Sequence, residues 1–320
     1  MRCNAAIFPE THLDERPPQD DVAHRTKMGA SMWGTHVSSR QVQVVRSLAD
    51  LRGIVRGWRS AGERIGLIPT MGALHDGHLS LVQLAKTTCP RTVTSIFVNP
   101  TQFAPQEDFT SYPRDESSDL TKLASVGCDI VWAPTVTEMY PPGFATDIIP
   151  RGAALGLESD SRPHFFGGVA TVCCKLFTQV APDVAVFGEK DYQQLCVIRQ
   201  MVRDLDLPLE IVGHPTVRET DGLAMSSRNA YLDRAQRAIA PTLYRELSEA
   251  ASAVSDGAAI AKATARARQR LSEAGFVIDY VEIRDAVTLM PVEPGADRPM
   301  RALVAARLGS TRLIDNVAVA

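Results

Sequence analysis

The sequence contains no apolar run approaching the roughly 20 residues a helix needs to cross a bilayer. It also lacks a basic excess. Its 34 lysines and arginines face 37 aspartates and glutamates, a net charge of -3 with histidine neutral. That balance gives no extended cationic field for a phosphate backbone, so neither nucleic acid nor a membrane is an expected partner. Its six cysteines, Cys3, Cys89, Cys128, Cys173, Cys174 and Cys196, form no C-x-x-C pair and no zinc-type spacing with histidine. Thiols used as small apolar groups fit a reducing compartment, and a cytoplasmic location is expected. No internal repeat or low-complexity tract is present. The first residues carry Glu10, Asp14, Glu15, Asp20 and Asp21 without an apolar stretch, which does not fit a secretory signal.

The chain has 320 residues, 45% of them hydrophobic and 22% charged, which excludes disordered and collagen-like classes. At roughly 150 residues per domain, about two domains are expected. Residues 1–40 are polar, proline-containing and aperiodic, and read as a mobile N-terminal extension. From Val42 a helical pattern runs through Val44, Val45, Leu48, Leu51, Ile54, Val55 and Trp58. Strand-like and helix-like runs then alternate. Strands are expected at 64–69, 92–98, 129–132, 183–187 and 209–212. Helices are expected at 78–89, 117–126, 169–180 and 192–204. Such alternation, with near-continuous apolar strands, predicts an α/β fold: a Rossmann-like parallel sheet covered on both faces, over 41–216. Residues 217–320 change texture. Two Ala-rich helices are expected at 233–255 and 258–274, followed by short strands at 277–283, 302–308 and 312–319. They predict a smaller α+β C-terminal domain that serves as a lid.

Four motifs carry chemistry, and three of them fall where a strand is expected to end. The segment Met71-Gly72-Ala73-Leu74-His75-Asp76-Gly77-His78 follows one strand and opens a helix. Glycines there permit a tight turn, and a helix N-terminus offers unpaired N–H groups to a phosphate. His75 and His78, three residues apart, can face the same polyphosphate as hydrogen-bond donors or as cations. The alternative, two surface histidines capping a helix, needs no ligand. Gly188-Glu189-Lys190-Asp191 ends another strand. Lys190 supplies a compact cation, and Asp191 either caps the next helix or accepts from a ribose hydroxyl. Gln194, one turn on, suits a hydroxy acid. The loop around Met225-Ser226-Ser227-Arg228 offers two hydroxyls and a permanent cation. Asn99 and Gln102, at the end of a β-branched strand, either face a ligand or satisfy loop backbone.

The ordered set HDGH, SIFVNPTQF, Tyr112-Pro113-Arg114, GEKDYQQL, DGLAMSSRN and Leu313-Ile314-Asp315-Asn316 closely resembles the pantothenate synthetase (pantoate–β-alanine ligase) family, from about Val42 to the C-terminus. The resemblance implies a nucleotidyltransferase-superfamily enzyme, a homodimer, that adenylates (R)-pantoate with ATP and then transfers the pantoyl group to β-alanine. By matching position it implies an ATP site of residues 71–78 and 188–191, Val217 and residues 225–228. His78 takes the acid role, and Lys190 and Arg228 are the phosphate-binding cations. Gln102 and Gln194 hold pantoate, with Gln102 also near β-alanine, and Val169, Val172, Cys173 and Leu176 form an apolar wall. Mg2+ is an expected companion of ATP; Asp119 matches an acidic position of the family, but with Ser118 beside it no metal ligand is assigned. Two departures stand out. Where the family reads R-P-x-H-F-x-G, this chain reads Arg162-Pro163-His164-Phe165-Phe166-Gly167-Gly168, with phenylalanine in the histidine position. His214 replaces an apolar residue. A plain nucleotidyltransferase and a non-catalytic nucleotide-binding paralogue remain as alternatives.

Overall fold

β-Branched and apolar runs become the strands of a six-stranded parallel sheet. The computed structural model describes residues 41–103, 109, 112–292 and 297–319; the expected N-terminal extension at 1–40, with Cys3, lies outside them. In chain order the first part consists of β1 (Gln43–Val45), α1 (Leu48–Ser60), β2 (Ile65–Thr70), α2 (Asp76–Lys86), β3 (Arg91–Ile96), α3 (Glu116–Ser125) and β4 (Ile130–Trp132). The short α4 (Val136–Met139) and α5 (Glu158–Ser161) follow, then α6 (Phe165–Val180), β5 (Val184–Gly188), α7 (Tyr192–Asp204) and β6 (Glu210–His214). The sheet order is β1-β4-β3-β2-β5-β6, with every pairing parallel. Helices cover both faces, as parallel strands require. On one, α1, α6 and α7 bury Leu51, Val55, Val172, Leu176, Leu195 and Ile198. On the other, α2 and α3 bury Leu81, Val82, Ala85 and Leu123.

The second part carries α8 (Arg234–Ile239), α9 (Thr242–Ser255), α10 (Ile260–Glu273), β7 (Val277–Asp285), β8 (Met300–Leu308) and β9 (Thr311–Val319). The three strands form an antiparallel sheet in the order β7-β8-β9, and α9 and α10 close its core around Leu243, Leu247, Leu271 and Val304. Residues 39–320 group as one unit. Both expected components of the α/β fold are present.

Three expectations change. Val44 and Val45 belong to β1, paired with Val131 and Trp132, rather than to the helix expected from Val42. Ser47 caps α1 by accepting the N–H of Asp50, so the helix starts at Leu48. A β-branched pair ahead of a periodic segment fits both patterns, and the vacant edge of β4 decided. The helix expected over 233–255 is two helices, because Pro241 lacks the N–H that would continue α8. Helix α6 begins at Phe165, four residues before the expected 169. Among the described residues no helix is long and apolar enough to cross a membrane, and the five described cysteines are free.

Gly168 on α6 lies against the turn after β3. A Cβ there would stand 2.5 Å from the carbonyl oxygen of Thr101 and 2.9 Å from the N of Gln102. Both are backbone atoms that cannot swing aside. Gly168→Ala is expected to cost about 1–3 kcal/mol, the usual range for overpacking, read as a fall in the urea midpoint. An unchanged midpoint would show that the turn yields freely.

Candidate active site

Strand order reverses between β2 and β5, so the C-terminal ends of these neighbours diverge into the crevice where open α/β sheets bind ligands. A cavity of about 900 Å³ opens there.

After β2 the chain turns through Gly72 (φ +82°) and Ala73 (φ +49°). Two consecutive left-handed residues, one with a Cβ, are costly unless the surroundings hold them. Helix α3 does so. The carboxylate of Asp119, 2% exposed, accepts the N–H of Ala73 at 2.9 Å and of Leu74 at 2.8 Å. One turn later, the Lys122 Nζ donates to the carbonyl oxygen of Leu74 at 2.7 Å. Burial raises the Asp119 carboxyl, while the two N–H groups and Lys122 pull it down.

That turn delivers His75 to the N-cap of α2, with His78 one turn in and ring centroids 4.1 Å apart. The His75 backbone N–H donates to Nδ1 of His78 at 3.3 Å. Nδ1 is therefore an acceptor, and the proton of neutral His78 sits on Nε2. Burial lowers His78 to about 3, helped by His75, Lys190 and Lys122. Burial and Lys190 lower His75 to about 4, and its Nδ1 is buried with no hydrogen-bond partner among the described residues. Of the two forms open to the pair, neutral donors are the ones present near pH 7. An incoming polyphosphate brings the negative charge that raises both.

Strand β5 ends in a 3-10 turn, Glu189–Asp191. Lys190 and Asp191 line the cavity, their charged ends 3.9 Å apart. Asp191 occupies the N-cap position of α7 but makes no side-chain capping bond. Gln194 lines the cavity. Its neighbour Gln193 also borders the cavity, but its amide is bonded to Glu158, Ala153 and Gly156 backbone. After β3, Asn99 is 1% exposed, and its amide donates to Gln102 Oε1 and the Gly168 carbonyl, both at 3.1 Å. Asn99 therefore both borders the cavity and satisfies the loop. Gln102 Nε2 lies 3.1 Å from the Met71 sulfur. Val169, Val172, Cys173 and Leu176 form one apolar wall, and Phe97, Phe103 and Tyr112 also line the cavity.

Val217, Met225, Ser226, Ser227 and Arg228 complete the lining, and the Ser227 hydroxyl donates to the Ala73 carbonyl at 3.1 Å. The cavity thus brings together Met71, His75, Gly77, His78, Asn99, Gln102, Val169, Val172, Gly188, Lys190, Asp191, Gln194, Val217 and residues 225–228. It does not bring in Gly72, Ala73, Leu74, Asp76 or Glu189. The first three form the turn behind the wall, Asp76 is exposed, and Glu189 turns back to Arg301 at 3.0 Å. Phe165 borders the cavity, 3.8 Å beneath the Arg162 guanidinium, whereas His164 is exposed and outside it. His214 lines it as well. Among the described residues no three His, Cys, Asp or Glu side chains cluster to hold a metal ion.

Sequence reasoning gave Asp119 no role and missed Lys122. Their signal was two polar residues at i and i+3 on an amphipathic helix, with Asp119 on the side that also carries Leu123. It also missed a buried group at the far end of the cavity. There Glu158 accepts both terminal nitrogens of Arg312, at 2.7 and 2.9 Å, and the hydroxyl of Tyr280 at 2.8 Å. No local pattern joins three residues so far apart in the chain.

A family model described as pantoate-beta-alanine ligase matches residues 43–318. The chain is 57% identical over 282 residues to pantothenate synthetase 2 of Bradyrhizobium diazoefficiens, covering 88% of this chain and all of that protein. Among solved structures, it resembles a pantothenate synthetase from Thermus thermophilus (TM-score 0.81, 45% identity, covering 87% of this chain and 99% of that one). It also resembles a pantoate-beta-alanine ligase from Francisella tularensis solved with beta-gamma ATP and β-alanine (TM-score 0.73, 32% identity, covering 87% and 98%).

The lowered histidines tie stability to pH. Each binds its proton less readily folded than at the ordinary value of 6.5. Their contribution is therefore complete above pH 6.5 and is lost as pH falls through about 4 and then 3. Urea unfolding between pH 7.5 and 4 is expected to show a decline, and His78→Gln should flatten it by on the order of a few kcal/mol. An identical slope in the variant would show that His78 is not held neutral.

Proposed function

The chain belongs to the pantoate–beta-alanine ligase family, and from that premise we propose how its cavity divides the work. The enzyme condenses (R)-pantoate with β-alanine to pantothenate at the expense of ATP. A carboxylate is a poor electrophile toward an amine, and adenylation supplies the missing leaving group. A pantoate carboxylate oxygen attacks the α-phosphorus while the bond to the bridging oxygen of the β-phosphate breaks and pyrophosphate leaves. The β-alanine nitrogen then attacks the acyl carbon of pantoyl adenylate. The C–O bond breaks, AMP departs and the nitrogen sheds a proton.

In our reading the Nε2–H of His78 donates to oxygens on the α- and β-phosphates, where charge grows as pyrophosphate leaves, and His75 assists. Lys190 and Arg228 hold the phosphates from opposite sides. Asp191 accepts a ribose hydroxyl, and Val217 with Met225 borders the base. Gln102 and Gln194 hold the pantoate carboxylate and hydroxyls, and the methyl groups of pantoate rest on Val169, Val172, Cys173 and Leu176. Asn99 and Gln102 flank the entry of β-alanine. The observation that carries this reading is the convergence of the histidine pair, Lys190 and Arg228 on one cavity. Little covalent work falls to the protein, since positioning and charge stabilisation suffice.

Mg2+ fits as an ion brought by ATP, because magnesium keeps several waters and needs few protein ligands beside substrate phosphates. When bound it neutralises β- and γ-phosphate charge. We divide the chain at 216 into an ATP- and pantoate-binding domain, 41–216, and a lid domain, 217–320. Separate cores support that division. We read the enzyme as a cytoplasmic homodimer, with the free thiols supporting the compartment. Sedimentation checks the assembly.

Pyrophosphate release is expected to require ATP and pantoate, and AMP release to require β-alanine as well. A stable nucleotidyl product would favour the plain transferase. His78→Ala should slow adenylate formation by about 10²-fold or more, the scale of losing a preorganised donor, and a wild-type single-turnover rate would remove its role. The exposed His164 and the stacked Phe165 suggest that the usual histidine is dispensable here. His164→Gly with Phe165→His is expected to leave turnover unchanged or raised, and a sharp loss would give His164 a function of its own.

A further inference from the structure

The Leu313-Ile314-Asp315-Asn316 segment belongs to β9, on the antiparallel sheet, and its role in the reaction is undefined by the lining alone. Asn316 is 2% exposed and Asp315 3%. A buried amide and a buried carboxylate side by side on an edge strand are expensive unless every polar atom is used. They are. The Asn316 Nδ2 donates to the carbonyl oxygens of both Glu189 and Lys190, each at 2.8 Å. Its Oδ1 accepts from Arg301 Nε at 2.7 Å, and its backbone N–H donates to Asp315 Oδ1 at 2.7 Å. Arg301 sends a second nitrogen to Glu189 Oε2 at 3.0 Å and stacks its guanidinium 4.2 Å from the Tyr192 ring. Asp315 meanwhile takes both terminal nitrogens of Arg218, at 2.7 and 2.9 Å. Arg218 is bridged to Ala224, which sets the Val217–Met225 pair.

The carbonyls of Glu189 and Lys190 lie in the 3-10 turn ahead of α7, outside the i to i−4 ladder of that helix. The Asn316 amide ties both carbonyls to β9, and the pitch of the turn aims the Lys190 side chain. We propose that Asn316 is a positioning residue for adenylation: it holds the Glu189–Lys190 carbonyls so that the Lys190 ammonium meets the phosphates, while Asp315 sets the opposite wall through Arg218. The inference rests on the phosphate role read for Lys190. Asn316 does not touch the reacting atoms, and it acts only through the turn.

The test compares Asn316→Ala, Lys190→Ala and the double variant in the full-length enzyme. Val304→Ala serves as a control that loosens the same sheet from its core, away from the cavity. In single turnover with ATP and pantoate, Asn316→Ala is expected to slow pyrophosphate formation by about 10-fold or more, the scale of a misplaced catalytic group. Amide formation from supplied pantoyl adenylate and β-alanine should change by no more than about twofold, as for an uncoupled site. Asn316→Asp should be no better than alanine, because its oxygens would face two carbonyl oxygens. The double variant should be no slower than Lys190→Ala, since a residue acting only through Lys190 has nothing left to lose. A wild-type adenylation rate in Asn316→Ala, beside a crippled Lys190→Ala, overturns the inference alone. So do losses that multiply in the double variant, or an equal loss in Val304→Ala. A wild-type rate in Lys190→Ala removes the role of Lys190 and this inference with it.

Discussion

The carboxylate of Asp119 accepts the N–H groups of Ala73 and Leu74, and the placement of the histidine pair depends on it. A left-handed Gly72 is inexpensive, but a left-handed Ala73 directly after it is not. Without a fixed acceptor the chain would relax, and α2 would begin elsewhere. Lys122 secures the other side of the same turn through the Leu74 carbonyl. The turn lies between β2 and α3, so strain at the site is balanced by a helix on the sheet face away from α6. A further consequence is that the Asp119 oxygens already carry two N–H groups, which makes the carboxylate a poor candidate for gripping an ion in place of the turn.

Charge around the cavity is carried in two ways. In one set, arginines are bound to carboxylates: Arg218 to Asp315, Arg301 to Glu189 and Arg312 to Glu158. Such pairs contribute little net stability when buried, but removing one partner strands a charge, so they fix geometry. The other set is Lys190, Arg228 and two imidazoles whose burial keeps them neutral. A neutral donor is easier to keep buried than a cation, and it strengthens when phosphate charge arrives. The Nδ1 acceptor role of His78 turns its one proton toward the cavity, which a histidine free to flip would not guarantee.

Much of this was legible in sequence. β-Strand and α-helix alternation gave the parallel sheet, and motifs at strand ends gave the residues that converge, because a parallel sheet delivers every strand's C-terminal end to one edge. What failed was local ambiguity settled by distant partners. Val44 and Val45 fit a helix until the edge of β4 is available to pair. Gly72, Ala73 and Leu74 sit inside a binding motif, yet they form the turn after β2 and do not line the cavity. Glu189, beside Lys190, reads as part of the phosphate loop, but Arg301, 112 residues away, claims it. A contact at that separation leaves no trace in spacing. The departure at Phe165 was legible as a departure only. Its consequence needed the Arg162 guanidinium stacked above the ring, an aromatic partner that a phenylalanine supplies as well as a histidine.

The two sheets divide their labour according to their geometry. A parallel sheet brings strand ends and helix N-termini to one line, but it leaves the turns between them short of hydrogen-bond partners. An antiparallel sheet in this chain offers the remedy through its outer strand. β9 pairs with β8 on one side only, so its other edge and the side chains near it are available to a second body. From that strand the Asn316 amide reaches the Glu189–Lys190 turn and satisfies carbonyls outside the α7 ladder. The same contact makes the smaller part of the molecule more than a cover. Its second strand, through Arg301, and its third, through Asn316, both end on the turn that carries Lys190. Displacing the antiparallel sheet would therefore disturb the phosphate cation before it exposed the cavity.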